Sequence, residues 1–194
     1  MLLAIISQHV LDWRRATGAE RFDEMWDSVP HLMPLPNREQ QDLEAELETW
    51  LRQHWAPLTA GRVYHQINVT PPGGWSTNYR IPDLVLLLPD RFHIDRNEYF
   101  EGAPTVAVEI RSPDDETLDK LPFYEELGVP EVWVIERSTR NMELHRLGSA
   151  GYRRQRIAKN GWLASPITGI EFRTVAKRLR LRLAANHATV ADLP

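Results

Sequence analysis

Between Tyr79 and Glu136 the chain reads YRIPDLVLLL (79–88), then TVAVEIRSP (105–113), then VPEVWVIE (129–136). The runs Ile81–Leu88, Val106–Ile110 and Val132–Ile135 are almost wholly apolar, which predicts strands buried on both faces at the centre of a sheet. The interval Asp114 to Gly128 is long enough for a crossover helix, so the last two strands read as a right-handed βαβ unit with parallel strands. Pro122 removes a donor and disfavours a helical conformation at Leu121, so the regular helix should begin near Pro122 or kink there.

Three charged residues interrupt this apolar frame. Asp83 sits at the entry to the first strand, Glu109 near the end of the second, and Lys120 on the crossover. A carboxylate on a central strand is rarely buried unless it is paired or bound to a cation. Asp83, Glu109, the Ile110 carbonyl and water would give Mg²⁺ the hard oxygen ligands it prefers. Such a cation polarises phosphoryl oxygens and lowers the pKa of bound water. Lys120 would hold the phosphate. Each residue also has a plainer reading: Asp83 as a strand-entry acid, Lys120 as a solvated helix residue, and Glu109 as the acid of a buried ion pair with Arg111 or Lys120.

Outward from this frame, Val10 to Thr17 reads as a short helix stopped by Gly18, and Phe22 to Met33 as an extended segment before the Pro34 and Pro36 turn. Asn37 offers an N-cap, and Leu43, Leu47, Trp50, Leu51 and His54 repeat at helical spacing through to Trp55. Gly61 to Thr70 alternates as a strand, and Pro71-Pro72-Gly73-Gly74 predicts a hairpin. Met142–Leu147 and Tyr152–Ile157 continue as antiparallel strands. Leu163–Phe172 reads as an irregular loop, and Leu179–Leu183 as a strand or the end of a short helix.

At 194 residues, without repeats or linkers, the chain fits one domain spanning 1–194. No apolar run approaches the ~20 residues that cross a bilayer. The apolar opening Met1–Ile6 lacks a basic leader and reads as a strand or core segment of a cytoplasmic protein. The absence of cysteine excludes disulfides, thiolate metal sites and cysteine nucleophiles. The seven histidines show no H-x-x-x-H pair. The net charge of −4 hides a division: residues 137–182 hold 12 Lys and Arg against two acids. That stretch reads either as solvated strand faces or as a phosphate-facing patch. Of the tryptophans, Trp50 and Trp133 fall on core faces, and Trp75, in the Pro/Gly-rich turn, reads either as a plain packing residue or as the one exposed enough to touch a nucleic acid.

Four motifs in order carry a family resemblance: P-D-L-V (82–85), V-E-I-x-S-P (108–113), K-x-x-x-Y-x-x-x-G-V-P-E-x-W (120–133) and S-P-x-x-G (165–169). Over about Phe22 to Phe172 the chain resembles the Uma-two family of restriction-endonuclease-like proteins, within the PD-(D/E)XK nuclease superfamily. The resemblance implies an α/β fold in which helices flank a mixed β-sheet, and a Mg²⁺- or Mn²⁺-dependent endonuclease that hydrolyses DNA phosphodiester bonds by metal-activated water. It also implies Asp83 and Glu109 as metal ligands, Lys120 as the phosphate-side cation, and a homodimer. The superfamily's usual lysine, two residues after the glutamate, is here Arg111, which stays protonated and can only grip phosphate. The family's histidine near the start of the N-terminal helix is here Gln40, which cannot titrate. Glu44, one turn later, is the candidate for an added helix acid. A binding or assembly module without turnover, and a hydrolase of small phosphorylated substrates, are the competing readings.

Overall fold

The computed structural model describes residues 6–112 and 115–194. Most of the expected N-terminal strand or core segment, and Pro113 of the second motif, lie outside the described residues. Helix α1 (Gln8–Thr17) stops at Gly18, whose φ of 73° closes the last turn. A small antiparallel hairpin follows, β1 (Glu24–Trp26) and β2 (Val29–His31). Helix α2 (Arg38–Trp50) starts where the Asn37 side chain accepts from the Gln40 amide, and it runs through a π turn (Leu51–Trp55) into α3 (Ala56–Thr59). Gly61 then passes against the Trp55 indole, where a Cβ would come within 2.5 Å of the ring.

The strands β3 (Arg62–His65), β4 (Asn68–Thr70), β5 (Leu84–Leu87), β6 (Tyr99–Glu101) and β7 (Val106–Arg111) come next. Helix α4 (Leu121–Leu127), entered through a 3-10 turn at Thr117–Lys120, leads to β8 (Glu131–Glu136). The chain ends in β9 (Met142–Gly148), β10 (Gly151–Arg154), β11 (Leu163–Ala164), β12 (Ile170–Val175), β13 (Arg178–Leu183) and β14 (Asn186–Leu193).

The central sheet has six strands in the order β10-β9-β8-β7-β5-β3. Only β7 and β8 are parallel within it, as the crossover requires; the other pairs are antiparallel, so the sheet is mixed and flanked by helices. Along β7, Val106, Val108 and Ile110 point into a core shared with Leu43 and Leu47 of α2 and with Phe172 and Leu181 of the second sheet. Ala107 points the other way, onto Phe123 and Tyr124 of α4. Strand parity therefore delivers Glu109 to the α4 side. Each large aliphatic side chain so buried contributes about 1.5–3 kcal/mol.

Two sequence readings change. The proline-glycine turn at 71–74 turns the chain back, but the hairpin it closes is a single antiparallel bridge, Val69 to Arg80; β3 ends at His65, before Gln66 with its φ of 45°, and β4 pairs in parallel with β6. Leu163–Phe172 is not all loop, because β11 and β12 open a second, four-stranded antiparallel sheet in the order β11-β12-β13-β14. That sheet covers the core face of the first, and the Trp50 indole donates to the Thr189 carbonyl at 2.9 Å, tying α2 to it. Leu179–Leu183 is a strand, with Leu179, Leu181 and Leu183 buried.

Candidate active site

Glu109 is 3 % exposed, in a position where an unpartnered carboxylate would cost several kcal/mol. The turn into α4 supplies its partners. Tyr124 donates to Oε1 at 2.6 Å, and Lys120 donates to Oε2 at 3.0 Å. Lys120 and Tyr124 are four residues apart, so one helical face presents both. The pairing of Glu109 with Lys120, one of the plainer readings, is therefore real; Arg111 takes no part in it.

Asp83 approaches from the start of β5. Its Oδ2 accepts from the Ile110 amide at 2.5 Å and its Oδ1 from the Gln40 amide group at 2.9 Å. Asp83 is thus fixed by the residue that follows Glu109 and by the first turn of α2. Asp83, Glu109, Ile110, Gln40 and Lys120 line one cleft of about 80 Å³. The two carboxylates reach it from different strands of the same sheet.

A further acid joins them. Glu24 of β1, 1 % exposed, brings Oε1 to 2.7 Å from Lys120 Nζ, accepts there from the Ile81 amide at 2.8 Å, and accepts from Trp26 Nε1 at Oε2 at 2.7 Å. No periodicity points to it, since a three-residue strand in an acid-rich stretch has none. Tyr124 could have been found from its position four residues after Lys120.

Glu44 is 1 % exposed, on the buried side of α2. Its Oε1 makes no hydrogen bond, although His65 Nδ1 lies 3.2 Å away in poor orientation. Arg111 does not line the cleft; it reaches toward Glu136 at 3.8 Å.

The site buries more carboxyl groups than one ammonium can keep ionised. Burial, reinforced by Asp83 and Glu24, raises the Glu109 pKa to about 8 in spite of Lys120. Burial, with Asp83, Glu48 and Glu109 behind it, raises Glu44 to about 9. Asp83 is also raised by burial, against the opposing Ile110 amide, Lys120 and Gln40. Burial alone would lower Lys120, but Glu109 and Glu24 more than reverse this, so the ammonium stays charged.

This donor set fits a divalent cation. The cluster is under-compensated; Glu44, whose Oε1 makes no hydrogen bond, does not itself line the cleft. Each bonded oxygen of Asp83 and Glu109 retains a second lone pair. No group of three or more acidic or histidine side chains forms a cage among the described residues. Mg²⁺ typically takes one or two carboxylates and completes its shell with water and substrate phosphate, so two carboxylates suffice.

No curated protein matches the chain. Among solved structures, it is similar to a protein of Anabaena variabilis ATCC 29413 described as "a putative nuclease belonging to DUF820", with a TM-score of 0.60 at 16 % identity, over 75 % of this chain and 83 % of that one. At that identity the likeness shows a shared fold. No helix is long and apolar enough to cross a membrane among the described residues. The Uma2 family, described as "Putative restriction endonuclease", matches residues 10–179, which takes in every cleft residue named above, and the chain belongs to that family.

Proposed function

We propose that the protein is a metal-dependent endonuclease that hydrolyses DNA phosphodiester bonds at this cleft. The observation that supports this most is the meeting of Asp83, Glu109 and Lys120 in one cleft with an excess of buried carboxylates. Family membership supports the nuclease reading at large.

Asp83 and Glu109 would hold Mg²⁺ or Mn²⁺, with the Ile110 carbonyl as a third oxygen at the same end of β7. When bound, the cation supplies Lewis-acid stabilisation of phosphate charge and a more acidic water. Gln40 holds Asp83 in place and cannot exchange protons with it, so proton transfer falls to solvent or to the acids. Lys120 has three donors and spends two on Glu24 and Glu109, which leaves one for a phosphate oxygen. Because it remains an ammonium, it acts on developing charge as an electrostatic group rather than as a base. Glu24 and Tyr124 are positioning residues that aim Lys120 and Glu109.

One observation favours a second reading. Every oxygen of Asp83 and Glu109 already has a donor, as in a network that only locks the fold. Incubation with supercoiled plasmid separates the two. Nicking that requires Mg²⁺ or Mn²⁺, stops with chelator and vanishes in Asp83→Ala at unchanged melting temperature supports the endonuclease. Metal-independent cleavage, or full activity in that variant, overturns it; nucleic-acid binding without any cleavage supports the silent module.

A further inference from the structure

The cleft that holds Asp83 and Glu109 is too small for the substrate. Its volume is about 80 Å³, while one water occupies roughly 10–15 Å³ on such a measure. It accommodates a few waters or a hydrated ion, whereas sites for ligands of nucleotide size run to about 300–1,000 Å³. A second concavity has that size. A groove of about 880 Å³ lies where the ends of β7, β8 and β9 meet β12. The two lie beside the same end of β7: Ile110 and Ser112 line the cleft and Arg111, between them, lines the groove.

The chemistry of the groove suits a phosphodiester chain. Its lining includes the buried apolar residues Val134, Met142, Leu163 and Phe172 and the apolar Ile157, which is 67 % exposed. Arg111, Arg154 and Arg173 line it together with Glu136 and Glu143. The acids are engaged with two of the arginines, Glu143 with Arg154 at 3.0 Å and Glu136 with Arg111 at 3.8 Å. Arg173 makes no ion pair among the described residues; its guanidinium packs 4.8 Å over the Trp162 ring, and its Nε is buried with no hydrogen-bond partner. Two of the 12 basic residues of 137–182, Arg154 and Arg173, line the groove, and with Arg111 they give it three arginines against two acids. A concentration of positive charge of this kind favours a polyanion.

We propose that this groove is a track for a single nucleic-acid strand leading toward the cleft, with Arg111, Arg154 and Arg173 meeting phosphates and the exposed Ile157 meeting bases and sugars. The inference rests on the nuclease reading above and names the surface that holds its substrate. Arg111 then acts on the phosphate next to the cleft, which gives the arginine two residues after Glu109 a binding role outside the metal site.

Fluorescence anisotropy with a short labelled single-stranded DNA oligonucleotide tests this. The double variant Arg154→Ala/Arg173→Ala should bind several-fold more weakly at low salt, and the slope of log affinity against log salt should flatten by about 1.4, or about 0.7 per lost phosphate contact. Arg38→Ala, whose side chain is 81 % exposed on α2, should bind like the unaltered protein. If the double variant is unstable in a thermal melt, Arg154→Ala alone, at an exposed position, should show half the effect on the slope. Unchanged affinity and slope in the groove variants, an equal loss in Arg38→Ala, or no binding by the unaltered protein at low salt would each overturn the inference. Metal-dependent nicking alongside unweakened groove variants overturns the groove and leaves the cleft reading standing. Weakened groove variants of a protein that never nicks do the reverse.

Discussion

Lys120 Nζ stands 2.7 Å from Glu24 Oε1, so the one ammonium of the cleft is bound to an acid from the N-terminal hairpin as well as to Glu109 of the central sheet. Breaking a buried ion pair from one side typically costs about 3–5 kcal/mol, because the partner is left charged and unpaired. Lys120→Met leaves Glu24 and Glu109 without their shared cation and should lower unfolding stability by that amount in a urea titration. Glu24→Gln, which keeps an acceptor for the Ile81 amide, should cost less.

The Tyr124 hydroxyl is a separate contributor. Its 2.6 Å hydrogen bond is the partner of Glu109 Oε1. Tyr124→Phe leaves that buried oxygen without a donor, at a cost of about 1–3 kcal/mol. The same variant should need more metal for half-maximal nicking, because Glu109 loses one of the two groups that orient it. Unchanged stability and metal requirement would show that Tyr124 only fills space.

The raised carboxyls set a pH dependence for the metal-free protein. Glu109 moves from 4.5 to about 8 and Glu44 from 4.5 to about 9, so the folded chain binds more protons than the unfolded one between those limits. As far as these groups decide it, stability should therefore be full at and below pH 4.5, fall as pH rises toward 8 to 9, and level off above. Lys120 acts later: its pKa is raised from 10.5, so its contribution is intact below 10.5 and is lost at higher pH. Urea titrations of Glu44→Gln across pH 5 to 9 should show a flatter slope and a gain in stability at the alkaline end. A slope equal to that of the unaltered protein would remove Glu44 from the cluster.

Much of the site was legible because its residues break a strong pattern. Glu109 inside Val-Ala-Val and Asp83 before Leu-Val-Leu-Leu are visible where alternation and burial leave no room for charge. The parallel pairing of β7 with β8 followed from an interval that only a crossover can fill. Glu24 was not legible, because β1 is three residues long and its role depends on how the hairpin folds over α4's entry turn. The hairpin at 71–74 shrinks to one bridge for a similar reason: β4 leaves the β3 direction at Gln66, and its parallel partner β6 lies far along the chain. The second sheet hid behind Pro166 and Gly169, which mark the turn into β12 rather than an open loop.

Binding of Mn²⁺ to the unaltered protein, Asp83→Asn and Glu109→Gln, followed by titration calorimetry, bears most directly on the central claim that these two carboxylates share one cation. The account predicts saturable binding by the unaltered chain, lost or weakened at least tenfold in both variants, with their melting temperatures showing that they fold. Binding of unaltered strength in either variant, or none by the unaltered protein, would contradict it.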